Sequence, residues 1–372
     1  MKESQRNENK TKNSDTGIAS LRRRIDEIDD QILELINQRL LAAREIGEIK
    51  NRSGTAVVDS QRESQIFQRL SSLNRGPLKE TALHRIFRAV IVAGRGIQSP
   101  GNKAGIGPLY VVVGNPIGHS LSPAMHNSAL AHAGLNGVYL AFRVEDIAAA
   151  ISGIRGLDIR GVSITIPHKV SVMQYLDEVD PVASDIGAVN TIVNRKGVLH
   201  GYNSDGDGAI KALLEKTTIK GKQVAVIGAG GGARAVGFGL KQEGGMVTII
   251  NRSKSAGEKL AGDLDVEFKL LAEVKKLPYQ VVINATPAGM TPDINSVPLA
   301  PDLMKPGMIV MDMVYNPLKT RFLEAAELIG CTTVDGVAMF VHQGAVQFEL
   351  WTGRKAPVDV MRRVVLEELG GH

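Results

Sequence analysis

The chain has 372 residues, 43% of them hydrophobic and 22% charged, a length and balance suited to two or three soluble globular domains. Aromatics are only 4%, which disfavours base-stacking nucleic-acid modules, and no apolar run reaches the ~18 residues of a membrane span. The net charge of +5 belongs to the first 108 residues, with 19 Lys/Arg against 13 Asp/Glu, whereas the other 264 hold 25 against 26.

Residues 1–17 are polar without an apolar core, so they read as a disordered tail and not as a secretory signal. From Ser20 to about Lys50 there is no Pro and one Gly. Leu21, Ile25, Ile28, Ile32, Leu35 and Ile36 recur at spacings of three and four, which predicts a long amphipathic helix. Ser53-Gly54 breaks it. A second helix starts near Asp59-Ser60, where Ser60 and Glu63 fit a capping box, and fades at Asn74-Arg75-Gly76-Pro77. A third runs from about Lys79 to Gln98. The first helix is too long for two short partners to cover, so a symmetric dimer is expected to bury it.

The basic excess here fits a solvated helical surface, an anionic small molecule or nucleic acid. Nucleic acid has the least support, because there is no aromatic interleaving and no recognition motif. Arg39 and Lys50 are eleven residues apart, within ~20° on one helix face. Asp59, Arg62 and Glu63 cluster at the start of the second helix, where a cap and an exposed ion pair would also account for them.

Arg22, Arg39, Lys50, Asp59, Arg62, Glu63 and Gln98 stand in the order and nearly the spacing of a known family: residues 20–98 resemble the all-helical, dimeric chorismate mutases. One departure is Gly94, where many relatives carry serine. The resemblance implies a pericyclic rearrangement needing no nucleophile, metal or proton transfer. Arg39, and Arg22 from the partner subunit, would clamp the substrate carboxylates. Lys50 and Gln98 would hydrogen-bond the ether oxygen, Glu63 and Asp59 would address the ring hydroxyl, and Arg62 would support them. Such residues act by orientation and charge stabilisation.

Residues 99–108 are a Gly/Pro-rich linker. Leu109 to Val113 then forms a strand that runs into a loop holding Ser120 and Ser122, with Pro123 placed to open a helix. These serines suit a turn or cap, and equally a bound carboxylate. The next strand, Gly161 to Ile166, ends in Pro167-His168-Lys169. Ala188-Val189-Asn190-Thr191 and Asn203-Ser204-Asp205-Gly206 follow.

Val224 to Ile227 reads as a buried strand, followed by Gly228-Ala229-Gly230-Gly231-Gly232-Ala233 and an Ala/Gly-rich helix. That spacing fits G-x-G-x-x-A, a turn that brings backbone N–H groups to a pyrophosphate. The second strand, Met246 to Ile250, ends in Asn251-Arg252-Ser253-Lys254, where an NAD enzyme would place an acid. A guanidinium and an ammonium suit a 2′-phosphate, so the expected cofactor is NADP. Cys331, the one cysteine, excludes an intrachain disulfide framework, suits the cytoplasm and is expected to be a small buried hydrophobe.

With Asn284-Ala285-Thr286, Asp312-Met313-Val314-Tyr315, Asp335-Gly336-Val337-Ala338-Met339 and Gln343 downstream, the chain from about Tyr110 to its end resembles shikimate dehydrogenase. The resemblance implies that Ser120 and Ser122 bind the substrate carboxylate, and that Thr165, Asn190, Asp205 and Gln343 hold ring hydroxyls with Tyr315 nearby. Lys169 and Asp205 would be the catalytic pair. Gly336, Met339 and Thr286 would line the cofactor site beside the glycine loop. Ser163, Ser204 and His168 depart from many relatives, and His168 is expected to be structural.

The expected fold is α/β: a Rossmann-like NADP domain (206–335) and an α/β substrate domain (109–205 with 336–372), preceded by an all-α mutase domain (18–98). The last stretch, with helices over Val337–Trp351 and Asp359–Leu369, would fold back onto the first α/β domain. The expected function is a cytoplasmic, dimeric, bifunctional enzyme of aromatic biosynthesis, reducing 3-dehydroshikimate to shikimate with NADPH and rearranging chorismate to prephenate. Its expected partners are these small molecules, with no nucleic acid, membrane or metal. The alternative keeps the dehydrogenase and makes the helices a dimerisation or effector-binding module.

Overall fold

A computed structural model describes residues 2–53, 60–98, 107–118 and 120–370, without the side chains of residues 2–19 and of several positions in the three N-terminal helices, Ser60, Glu63 and Gln98 among them. Asp59, most of the 99–108 linker and the side chains of Ser60, Glu63 and Gln98 therefore lie outside the described residues. The chain divides into two compact units, Met1–Gly105 and Ile106–His372.

The first unit contains α1 (Lys2–Ser53), α2 (Ser60–Leu73) and α3 (Glu80–Gln98). Helix α1 continues back through the residues expected to be a disordered tail. Their Lys, Glu, Gln and Arg are good helix formers and no proline interrupts them, so polarity alone did not end the helix. Helix α3 packs on α1 and α2, burying Ala43, Leu83 and Ile91. Arg39 Nη1 donates to the Val90 carbonyl at 3.2 Å, crossing from α1 to α3. Leu21, Ile25, Ile28, Ile32 and Leu35 remain exposed on α1.

The second unit is built on two sheets. The first takes β1 (Leu109–Gly114), α4 (Ser122–His132), β2 (Val138–Arg143), α5 (Ile147–Gly156) and β3 (Gly161–Ile164). It then adds β4 (Glu178–Val179), α6 (Pro181–Ile186), β5 (Thr191–Arg195) and β6 (Val198–Tyr202), in the order β2-β1-β3-β5-β6-β4. Strands β1, β2 and β3 are parallel, whereas β5 runs antiparallel to both β3 and β6. The apolar run of β1 is buried on both faces: Tyr110 and Val112 join one core, Val111 and Val113 another. Strand β3 ends at Ile164, two residues earlier than expected, ahead of Pro167, which has no N–H to offer a ladder.

Helix α7 (Asp205–Leu214) leads into the second sheet. Here β7 (Gln223–Ile227), α8 (Gly231–Gln242), β8 (Met246–Asn251), α9 (Lys254–Leu264), β9 (Glu267–Leu270) and β10 (Val281–Asn284) precede β11 (Ile309–Asp312), α10 (Arg321–Ile329) and β12 (Thr332–Val334). All six strands are parallel, in the order β12-β11-β10-β7-β8-β9. The order reverses between β7 and β10, the switch point at which doubly wound sheets bind ligands.

Helix α11 (Gly336–Thr352) returns to pack on α7, and α12 (Val358–Glu368) packs on α4. Trp351 anchors the return. Its Nε1 donates to the Ile192 carbonyl at 3.0 Å, and a Cβ at Gly161 would stand 2.4 Å from its ring, so only glycine admits it. Cys331 is half-buried beside the second-sheet core, and that burial raises its thiol pKa.

Candidate active site

Asp205 opens α7, where the helix N-terminus favours a carboxylate. Lys169, in the loop after β3, donates from Nζ to Asp205 Oδ2. The two side chains are 18% and 7% exposed, so the pair is shielded from water on most sides yet still reachable through the lysine. Asn190, immediately before β5, donates from Nδ2 to Asp205 Oδ1 at 2.8 Å. Gln343 on α11 joins the group through Ser204, whose Oγ lies 3.5 Å from Gln343 Oε1. Four residues expected at one site, spread over 175 positions of sequence, thus share one hydrogen-bonded cluster.

Ser120, Ser122 and Tyr315 form a second polar group. The Ser122 N–H donates to Ser120 Oγ at 3.3 Å. The Tyr315 hydroxyl neighbours Ser120 and the Leu121 backbone, and burial raises its pKa above the usual phenol value. Tyr315 stacks on Phe340 with centroids 4.2 Å apart, and the Phe340 carbonyl accepts from Gln343 Nε2 at 2.9 Å. Phe340 therefore joins the two groups. Thr165 is half-buried just beyond β3. His168 is buried with Nε2 2.9 Å from the Val144 carbonyl.

The glycine loop lies between β7 and α8. Gly228 has φ +123°, and a Cβ there would meet the Ala285 carbonyl at 3.0 Å and Thr286 Cγ2 at 3.1 Å. At Gly230 a Cβ would point into open space, and this residue gives α8 no side-chain cap. A bare helix N-terminus reached by backbone alone fits a dinucleotide pyrophosphate. Ala229 and Ala233 pack in the same apolar cluster as Met339, while a Cβ at Gly232 would meet Met313 Cε at 2.9 Å. Thr286 is held beside the loop by bonds to Asn284 Oδ1 from its N–H (3.0 Å) and hydroxyl (2.7 Å). Asn284 also donates to Asp312 Oδ1 at 2.9 Å. Burial raises the Asp312 pKa to about 6, against the opposing pull of Thr320, Val314 and Asn284. Gly336 opens α11 against the Val314 carbonyl.

Past β8, the Asn251 side chain donates to the Ser253 carbonyl at 2.9 Å, and Arg252 is exposed. Lys254, 70% exposed, pairs with Glu258 at 3.8 Å. This leaves a guanidinium and an ammonium at the end of the second strand, fitting a nucleotide that carries an additional phosphate.

In the first unit Arg22 is exposed, whereas Arg39 and Lys50 are half-buried. Arg62 is exposed, with Nη1 3.5 Å from Gln65 Oε1. Gly94 is buried, and a Cβ there would lie 3.5 Å from Arg39 Nη1. Among the described residues no cluster of three or more His, Cys, Asp or Glu could hold a metal ion.

Sequence reasoning assigned no role to Gln347 or Thr191, although both are buried against Asn190. Their polar partners come from distant parts of the chain, which leaves no spacing signal. Gln347 lies four residues beyond Gln343, one turn along the same helix face, which was the available hint.

Comparison with known proteins places these features together. Residues 21–99 match the model for chorismate mutase type II, residues 112–192 that for the shikimate dehydrogenase substrate binding domain, and residues 336–366 that for the shikimate 5′-dehydrogenase C-terminal domain. The chain is 46% identical over 278 residues to the shikimate dehydrogenase (NADP(+)) of Moorella thermoacetica, covering 70% of this chain and 94% of that protein. It is also 46% identical over 274 residues to the Methanopyrus kandleri enzyme of the same name, covering 69% and 94%. The crystal structure of shikimate 5-dehydrogenase from Thermus thermophilus with NADP(H) and shikimate aligns with TM-score 0.66 and 35% identity, over 70% of this chain and 99% of that one. The two-sheet architecture, the buried Lys169–Asp205 pair and this near-complete coverage identify the chain as a member of the shikimate dehydrogenase family that carries a chorismate mutase domain ahead of it.

Proposed function

We propose that this chain catalyses two reactions: NADPH-dependent reduction of 3-dehydroshikimate to shikimate, and rearrangement of chorismate to prephenate. The observation that carries the first is the Lys169–Asp205 ion pair held against the glycine loop. Bound NADPH supplies the hydride. Reduction of a ketone builds negative charge on its oxygen, and Lys169 Nζ holds a proton for that atom. Asp205 keeps the ammonium aimed and its charge balanced, while Asn190 and Gln343 hold ring hydroxyls. Ser120 and Ser122 bind the carboxylate at the other end of the ring, with Tyr315 beside them. Gly228 to Ala233 take the pyrophosphate, Arg252 and Lys254 the 2′-phosphate with Asn251 and Ser253 at its edge, and Thr286, Gly336 and Met339 line the rest. The Thermus thermophilus relative binds NADP(H) and shikimate, which supports the same ligands here.

For the mutase, Arg39 and Lys50 would bind the substrate within one subunit and Arg22 would reach in from a second copy, with Glu63, Gln98, Asp59 and Arg62 assigned by the resemblance of the sequence. Seventeen residues along one straight helix separate Arg22 from Arg39 by about 25 Å, too far for both to grip one small dicarboxylate from the same chain. The exposed apolar stripe from Leu21 to Leu35 supports a homodimer through these helices. No helix among the described residues is long and apolar enough to cross a membrane, in keeping with a cytoplasmic enzyme.

One observation favours the alternative for the helices. Arg39 donates to the Val90 carbonyl, a contact suited to a structural arginine in a dimerisation or effector-binding module. Steady-state assay of both reactions on one preparation decides. Shikimate oxidation together with prephenate formation supports the bifunctional reading; shikimate oxidation alone leaves the helices as a module; and absence of shikimate oxidation overturns the dehydrogenase reading.

A further inference from the structure

The Asp205 carboxylate is supported by a row of polar side chains that reaches far from Lys169. Its Oδ1 accepts from Asn190 Nδ2. The Asn190 amide can face only that way, because the Ser204 backbone N–H, which can only donate, points at Asn190 Oδ1 from 2.8 Å. Thr191 Oγ1 lies 2.7 Å from the same Oδ1 and places its single proton there. That hydroxyl is then left as an acceptor, and Gln347 Nε2 meets it at 3.0 Å.

The Gln347 amide is itself oriented by a group of fixed polarity. Its Nε2 also lies 3.3 Å from the Asn190 backbone carbonyl, which can only accept. Its Oε1 consequently receives the proton of Ser163 Oγ, 2.8 Å away, and Ser163 accepts from the Tyr139 hydroxyl at 2.6 Å. Every proton in this row points from Tyr139 toward Asp205. All its members are buried, so bulk water offers no ready replacement for a missing link.

We infer that Gln347 is a positioning residue for the dehydrogenase reaction: from α11 it donates to the acceptor side of Thr191 and so holds in place the Thr191–Asn190 pair that supports the Asp205 carboxylate beside Lys169. The inference rests on Lys169 and Asp205 being the catalytic pair. It separates Gln347 from a residue that merely ties α11 to the first sheet. A tie would affect how much protein folds, whereas a positioning residue affects turnover of the folded enzyme.

The test uses the full chain with Gln347→Leu, Thr191→Val, Thr191→Ser, the Gln347→Leu/Thr191→Val double variant and Lys169→Ala, reading kcat, both KM values and thermal unfolding. Misplacing a catalytic group by a fraction of an ångström predicts that Gln347→Leu and Thr191→Val each lower kcat about tenfold, with the KM for NADP unchanged. The double variant falls no further than the worse single one, because both break the same row. Thr191→Ser restores kcat relative to Thr191→Val, since it keeps the hydroxyl. A folded Gln347→Leu enzyme with wild-type kcat overturns the inference, as do additive losses or equal losses in Thr191→Ser and Thr191→Val. If Gln347→Leu does not fold, the two Thr191 variants decide alone. An active Lys169→Ala enzyme refutes the catalytic pair itself. An inactive Lys169→Ala enzyme beside a fully active Gln347→Leu enzyme refutes only the role of Gln347.

Discussion

A Cβ placed on Gly231 would stand 3.3 Å from Lys169 Cβ and 3.4 Å from its Cδ. The third glycine of the nucleotide loop thus serves two sheets at once. It lets α8 begin close to the first sheet, and it leaves room for the lysine stem on its way to Asp205. Gly231→Ala crowds that stem by a few tenths of an ångström, while Gly231→Val adds two further methyl groups. Both variants are expected to lower kcat for shikimate oxidation, the valine roughly tenfold or more, as small displacements of reacting groups do. Steady-state kinetics check this, and a fully active Gly231→Val enzyme would show that the contact does not matter.

Exposed Arg252 is expected to discriminate between cofactors. Arg252→Ala should raise the KM for NADP and leave use of NAD nearly unchanged. Loss of charge-assisted contacts to a phosphate suggests about 1.5–3 kcal/mol, or ten- to hundredfold. Parallel titrations with both cofactors measure it, and equal losses with the two would refute a 2′-phosphate contact.

The dimer can be tested by complementation. Arg22→Ala and Arg39→Ala should each lack mutase activity. In a mixed dimer the Arg22→Ala chain keeps its own Arg39 and receives an intact Arg22, so one site is whole and the other lacks both. Random pairing makes half of the dimers mixed, and the mixture should recover roughly a quarter of wild-type activity. No recovery despite confirmed subunit exchange would mean that Arg22 does not act across the interface.

His126 predicts an acid-labile core. It is fully buried, stacked on Tyr139 at 4.5 Å, and neither ring nitrogen makes a hydrogen bond of good geometry. Burial lowers its pKa from 6.5 to about 3, against a weaker opposing pull from the nearby Gln347 side chain. Between those values the unfolded chain binds a proton that the folded one refuses, so this residue's contribution to stability is intact above pH 6.5 and is lost as pH falls toward 3. The slope is about 1.4 kcal/mol per pH unit. His126→Phe keeps a ring in the stack and removes the titration, so urea unfolding from pH 7 to pH 4 should show a flatter acid decline. An unchanged decline would assign the lability to other groups.

Several features were legible because their signals are local. The apolar runs of β1 and β7 announce strands buried on both faces, and the glycine spacing between β7 and α8 announces a backbone approach to phosphate. Those patterns determined the fold class, and the motifs around Lys169, Asn190 and Asp205 carried the resemblance to shikimate dehydrogenase. The helix that runs back to Lys2 was missed because polarity argued for a tail, although the same residues are good helix formers. The tertiary structure alone decided which donor faces which acceptor. Gln347 lies 157 residues from the Asn190 carbonyl it meets, and Gly231 lies 62 from Lys169. Neither distance leaves a periodic trace in the chain. Both contacts arise because α11 returns to pack against β5 and α8 starts against the loop that carries Lys169, so the surroundings of the Lys169–Asp205 pair are a property of packing between distant elements.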